Sequence, residues 1–253
     1  MAEWAASPKD GAHAGFELLA WDSTLFGFPV AAILQDQLQT GALDAIPTQL
    51  QAAGVRLAYA SVPATDVPTI QRLEALGGRL VDRKRRYRKQ LLSPAPMPET
   101  LESGMGHPCT PEFTALARSS GEYSRFRTDP NIPSGIFEAL YDTWIRRSLA
   151  AEIAEEVLVQ KSGSTPVGLV SLSVAQEEGV IGLLAVGSAH RRQGVGRRLI
   201  MGAEAWCSAR QLTTLAVVTQ RDNSPACCLY TACGFELVSE EAVFHWWLGQ
   251  TSA

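Results

Sequence analysis

Residues 191–196 read Arg-Arg-Gln-Gly-Val-Gly, directly after the apolar run VIGLLAV at 180–186 and directly before a stretch of helical character. A strand, a glycine-bearing loop and a helix start together make a general anion site. Glycines let the backbone approach a ligand, and the first helical turn carries N–H groups that no carbonyl has claimed. The positive end of the helix dipole adds to the attraction. Spacing excludes two well-known versions of such a loop. A dinucleotide fingerprint needs a third glycine where Leu199 stands, and a P-loop needs a Gly-Lys-Ser/Thr triplet that is missing here. What fits is Arg-x-x-Gly-x-Gly, running from Arg191 through Arg192, Gln193, Gly194 and Val195 to Gly196. Taken alone, that spacing serves a phosphate or serves only as a loop.

Other reactive side chains are scattered. Cys109, Cys207, Cys227, Cys228 and Cys233 form no C-x-x-C pair and no His/Cys metal spacing, which reads as free reduced thiols and no metal. Cys227 and Cys228 are adjacent in a helical stretch and so point to different faces. His190 and His245 are isolated, as structural or surface histidines usually are, and neither is assigned as a base. Residues 81–91, VDRKRRYRKQL, are the most basic stretch. Arg83 to Lys89 read as a solvated or edge strand whose charges block aggregation, or as a face for an anionic substrate.

The elements that must position these residues alternate. The first part reads as strand 28–34, helix 43–53, strand 55–62, helix 66–76 and a strand into 88–92, a small α/β arrangement. Asp66 is an N-cap candidate, Pro68 sits in the first turn, and Gly77 and Gly78 close that helix. Pro94, Pro96 and Pro98 mark a linker at 94–104, dividing a domain at 1–93 from one at 105–253. The second part begins with a helix at 110–121 and a polar, turn-rich stretch at 122–134. In the next helix Phe137, Leu140, Tyr141, Trp144, Ile145 and Leu149 recur at the spacing of a half-buried face. Strands follow at 155–163, 166–176 and 179–187, then a helix from Gly196 with Leu199, Ala203 and Trp206 on one face. A strand at 212–220, a short helix at 223–233 and two final strands, 234–241 and 243–248, complete the order.

The totals fit a globular protein: 253 residues, 46% hydrophobic and 19% charged, with a mean hydropathy near zero. A net charge of −4 argues against a broad nucleic-acid surface. The start carries Glu3, Lys9 and Asp10 without an apolar core, and no apolar run nears the roughly 20 residues that span a bilayer. The expectation is a cytoplasmic protein with no nucleic-acid or membrane partner.

In context the loop resembles the signature of the GNAT family of acyl-CoA-dependent N-acetyltransferases. That family places strand, Asn, short helix and Tyr after the loop's helix. Here these are LAVVTQ at 215–220, Asn223, the helix at 224–230 and Tyr230, followed by Gly234 and Phe235. The resemblance spans residues 105–248. It implies an α/β (α+β) fold around a central mixed, largely antiparallel sheet, with acetyl-CoA as co-substrate. It further implies that the backbone N–H groups from Gln193 to Arg197 hold the coenzyme A pyrophosphate. One or two of Arg191, Arg192, Arg197 and Arg198 would reach phosphates while the rest form a solvated face. The strand edge at Leu184, Ala185 and Val186 would pair with the pantetheine amides, as a peptide pairs with a sheet edge, and would stabilise the developing oxyanion. Asn223 is well placed as an N-cap; with Ala226 the resemblance puts it beside the pantetheine. Tyr230 matches the family tyrosine that protonates the departing thiolate, a step suited to a phenol of pKa near 10. No covalent enzyme intermediate is required, and no base is named.

Further blocks resemble one branch of that family, which acetylates the 4-amino group of a dTDP-linked 4-amino-4,6-dideoxygalactose. They are WDSTLFGFPV, SRFR, TWIRRS, IGLLAV, VTQ and FHWWL. This likeness reaches nearly the whole chain and implies that the N-terminal half is a partial GNAT-like α/β domain. Ser124, Arg125, Phe126 and Arg127 offer two cations and a ring for a sugar-nucleotide diphosphate, or a loop held by salt bridges. The blocks are scattered, and Arg83 to Lys89 belong to neither motif set. Another amine (amino acid, peptide N-terminus, antibiotic or protein lysine) stays open, as does a non-catalytic acyl-CoA sensor. The strand 243–248 could pair two copies as a homodimer.

Overall fold

A computed structural model describes residues 12–13, 15–38, 41–93 and 95–249. Residues 1–11, which carry the leader reading, and Pro94 of the expected linker lie outside them. The elements run β1 (Ala12–His13), β2 (Phe16–Leu18), α1 (Ala20–Phe26), β3 (Val30–Ile33), α2 (Gln35–Leu38), α3 (Ile46–Ala52), β4 (Leu57–Pro63), α4 (Val67–Ala75) and β5 (Arg79–Gln90). They continue with β6 (Leu101–Ser103), α5 (Pro111–Ser120), α6 (Arg125–Thr128), α7 (Ile136–Leu149), β7 (Glu156–Ser162), β8 (Thr165–Ala175), β9 (Glu178–Val186), α8 (Val195–Ala209), β10 (Thr214–Gln220), α9 (Ser224–Ala232) and β11 (Glu236–Trp247). The chain divides into two compact units. The larger gathers Arg85–Thr128 and Phe137–Val238. The smaller gathers the described residues up to Lys84, then Asp129–Ile136, then the described residues from Ser239.

In the smaller unit the strands lie in the order β1-β2-β3-β4-β11. β3 and β4 are parallel, and β11 runs antiparallel to β4 from Glu241 to Trp247. Phe16, Leu43, Ile46, Leu50, Leu73 and Phe244 form its core. Asp66 caps α4 as expected, its carboxylate accepting from the Thr69 N–H at 3.2 Å. The helix expected over 43–53 is broken into a 3-10 turn, Gly41–Ala45, and α3. Pro47 supplies the reason: it has no N–H to continue a helix through it but fits a first turn.

In the larger unit the order is β5-β10-β9-β8-β7-β6. β6 to β9 are antiparallel neighbours, and β9 meets β10 in parallel. Within the expected linker, Leu101–Ser103 therefore belongs to the sheet. Leu199, Ala203 and Trp206 of α8 are buried against Leu172, Ile181 and Leu215, and each large side chain so buried contributes about 1.5–3 kcal/mol.

Three further expectations change. The final pair of strands is one strand, β11, because residues 236–247 contain no Gly, Pro or Asn to turn the chain. Ala242 to Trp246 are buried and bonded to β4, so this strand does not present the open edge expected for pairing two copies. The basic strand β5 is not a solvated edge either, since it lies beside β10. Arg86 and Arg88 pair with Glu178, Lys89 with Glu204 at 2.6 Å, and Arg83 with Glu240 at 3.9 Å. No helix of the described residues is long and apolar enough to cross a membrane.

Candidate active site

A cavity of about 840 Å³ opens in the larger unit. Its floor comes from a parting of two strands. The parallel pairing of β9 and β10 runs from Gly179–Leu215 to Ile181–Val217 and stops there, although β9 continues to Val186 and β10 to Gln220. Residues 182–186 and 217–220 both border the cavity. The bend has a local cause on the other side of β9. Opposite Val170 stands Leu184, but opposite Leu172 stands Ile181, so Gly182 and Leu183 share one partner residue, Ser171. Such a bulge kinks a strand and increases its twist. Ser171 Oγ accepts the Leu183 N–H at 2.8 Å in the buried interior and holds the bulge in place. Leu184, Ala185 and Val186 thus keep an edge that β10 does not occupy.

The loop after β9 forms the next wall. Gly194 is the N-cap of α8 at φ +79°, with no side chain capping the helix. Arg198 N–H donates to Gly194 O at 3.0 Å, so the N–H groups of Val195, Gly196 and Arg197 have no acceptor within the helix. All three residues border the cavity. The arginines separate as their number demands. Arg191 donates through Nε to Val186 O at 3.1 Å. Arg198 braces the loop, donating to Gln193 O and Gln160 Oε1, each at 3.2 Å. Gln193 points back to Ala189 O at 3.0 Å. Arg192 and Arg197 are exposed and border the cavity.

The third wall is α9. Asn223 caps it, Oδ1 accepting from Ala226 N–H and Nδ2 donating to Thr219 Oγ1, both at 3.3 Å. Tyr230 lies seven residues later, 4% exposed, its ring between Tyr87 and Phe235 at centroid distances of 5.9 and 5.7 Å. It borders the cavity, and among the described residues its hydroxyl has no hydrogen-bond partner. Burial, with a smaller push from Cys227 and Cys233, raises its pKa far above that of a free phenol, so the group stays protonated.

The structure brings Leu184, Ala185, Val186, Arg191, Arg192, Gly194, Val195, Gly196, Arg197, Asn223, Ala226 and Tyr230 to one cavity. Gln193 supports the loop from outside that wall. Ser124, Arg125, Phe126 and Arg127 are not among the bordering residues. Ser124 and Phe126 are buried, Arg127 lies 3.8 Å from Glu138, and Arg125 lies over the Phe126 ring. His245 is structural: fully buried, its Nδ1 is 2.6 Å from Asp129 Oδ2. His190 borders the cavity. Ser119, Ser120, Glu122 and Tyr123 also line it. No motif marks them, and the only available signal was their position at the end of a helix leading into a polar turn.

A family model described as the acetyltransferase (GNAT) family matches residues 123–235. Streptothricin acetyltransferase from Escherichia coli is 36% identical over 77 residues, 25% of this chain and 44% of that relative, so the match spans less than half of it. The dTDP-fucosamine acetyltransferase of Escherichia coli O6:H1 is 27% identical over 234 residues, 90% of this chain and 96% of that one. A solved GCN5-related N-acetyltransferase from Sphaerobacter thermophilus shares the fold, with a TM-score of 0.60 at 15% identity over 92% of this chain and 76% of that chain.

Proposed function

We propose that this chain, whose residues 123–235 match the acetyltransferase (GNAT) family model, acts as a member of that family: it binds acetyl-CoA and passes the acetyl group directly to the primary amine of a small molecule. One observation carries the reading. A single cavity combines helix N–H groups without acceptors, a strand edge left open by the parting of β9 and β10, and a buried tyrosine hydroxyl without a partner. The three match a diphosphate, an extended amide-bearing arm and a departing thiolate. Val195, Gly196 and Arg197 N–H groups hold the diphosphate, helped by Arg192 and Arg197. The edge at Leu184 to Val186 aligns the arm, and its fixed dipoles favour charge on the thioester oxygen. Tyr230 gives its proton to the sulfur as the neutral amine attacks. The burial that raises the phenol's pKa also disfavours a thiolate in the same pocket, so the two groups rise together and the transfer stays matched.

Two acceptor classes have support. A nucleotide-linked 4-amino sugar is supported by the relative that matches over 90% of the chain. Another basic amine, such as that of an antibiotic, is supported by the acidic character of one cavity wall and by the shorter match to streptothricin acetyltransferase. A non-catalytic acyl-CoA sensor has no use for a phenol held protonated at the cavity. Acetyl-CoA at a hundred times its Kd should stabilise the protein by about 2.7 kcal/mol. Tyr230→Phe should keep that stabilisation while kcat falls 10²- to 10⁴-fold. Wild-type turnover in the variant would remove Tyr230 from the chemistry, and the absence of a thermal shift would remove acetyl-CoA.

A further inference from the structure

The cavity is divided by hydrogen-bonding character. The wall at residues 192–197 offers donors: helix N–H groups and two guanidiniums. The wall at the end of α5 offers acceptors. Ser119 and Ser120 hydroxyls have committed their protons to Leu116 O at 2.8 Å and Ala117 O at 2.6 Å, so they turn only lone pairs to a ligand. The C-terminal end of a helix carries about half a negative charge from its unclaimed carbonyls, and α5 ends at Ser120. Next to it is Glu122, exposed, the one acidic residue among the described residues bordering the cavity, with no ion-pair or hydrogen-bond partner among them. Tyr123, 36% exposed, adds a ring face beside it. A surface of acceptors, one carboxylate and an aromatic face is complementary to an ammonium, which has three donors and no acceptor.

We propose that the end of α5, with Glu122 as its charged member, is a subsite for an ammonium of the acceptor, and that the acceptor is a small molecule with at least two basic nitrogens. The inference rests on the acetyl-transfer reading of the same cavity. The nitrogen that attacks must be neutral, with a lone pair free for the thioester carbon. A nitrogen enclosed by acceptors keeps its proton, because a glutamate is about six pKa units too weak a base to strip an alkylammonium. The nitrogen held at Glu122 is therefore a second one, and its contacts place the first. A sugar nucleotide has no such second cation, and its diphosphate would need cations that this wall lacks.

The test compares acceptors that differ in one charge, with acetyl-CoA as donor and released coenzyme A as the readout. They are 1,5-diaminopentane, 5-aminopentanol and a dTDP-linked 4-amino-4,6-dideoxygalactose. The diamine should exceed the amino alcohol about tenfold in kcat/KM, mainly through KM, and the advantage should shrink as salt screens the pair. Glu122→Gln should bring the ratio close to one, and Glu122→Asp should keep part of it. Calorimetry with coenzyme A present should show weaker diamine binding to Glu122→Gln than to the wild type. A ratio near one in the wild type, a ratio that Glu122→Gln leaves intact, or turnover of the sugar nucleotide without turnover of the diamine would each overturn the inference and leave the acetyl-transfer reading standing. Coenzyme A release from none of the three, despite a thermal shift with acetyl-CoA, would likewise overturn the inference, while the absence of that shift would overturn the acetyl-transfer reading beneath it.

Discussion

At Gly194 the backbone adopts φ +79° to turn from the loop into α8. A side chain there meets the carbonyl oxygen of its own strand of chain, a cost of about 1–2 kcal/mol for any residue but glycine. Gly196 is constrained differently. Its backbone is ordinary helix, but a Cβ would stand 3.0 Å from Leu229 Cδ2, a contact that a flexible leucine tip relieves. Gly194→Ala should therefore lower stability by about 1–2 kcal/mol and weaken acetyl-CoA binding, whereas Gly196→Ala should cost less in both thermal melts and titrations. Equal effects would contradict this division of roles. Neighbouring Arg192, at φ +61°, holds a similar conformation without being glycine. Cys227 is buried and Cys228 exposed, on different faces as adjacency on a helix demands, and burial pushes the Cys207 thiol up to about 12, which leaves it inert.

At the scale of elements, Asn223 ties the end of β10 to the start of α9 through its two amide atoms. Tyr230 is carried two turns further along that helix, so the cap sets where its hydroxyl stands. Asn223→Ala should cost about 1 kcal/mol and lower kcat, while Asn223→Ser should recover most of the stability, since serine also caps. An alanine variant with unaltered kcat would separate the cap from the chemistry. The spacing from Asn223 to Tyr230 was plain in the sequence because capping and helical periodicity are local. The bulge in β9 was not. Residues 179–187 read as an ordinary strand, and only Ser171, from the neighbouring strand, reveals why Leu183 leaves the ladder. The merging of the expected strands 234–241 and 243–248 into β11 has a like origin: Glu241 and Ala242 are already paired with β4, far away in the chain.

At the scale of the whole molecule, the smaller unit is assembled from three separate lengths of chain, and one buried carboxylate joins two of them. Asp129 accepts from Trp247 Nε1 at 2.9 Å and Asn131 N–H at 3.0 Å, and pairs with His245 at 2.6 Å. Burial by itself would raise its pKa, but the hydrogen bonds from His245, Trp247 and Asn131 outweigh it and hold the carboxyl below the usual range. A depressed folded pKa gives stability that is present above the unfolded value of about 4 and lost as pH falls below it. Wild-type stability should drop across that acid window, and Asp129→Asn should be less stable at neutral pH but flatter in acid; parallel curves in urea melts at pH 3–7 would refute this. Sequence alone determined the loop, the cap, the tyrosine and the helix faces, because each depends on residues within a few turns of one another. Tertiary structure decided the rest. It turned Ser124 and Phe126 inward, assigned the basic strand to ion pairs, parted β9 from β10, and gathered Ser119, Ser120 and Glu122 onto the cavity. Those outcomes depend on which surfaces find partners far along the chain, and local spacing holds no record of that.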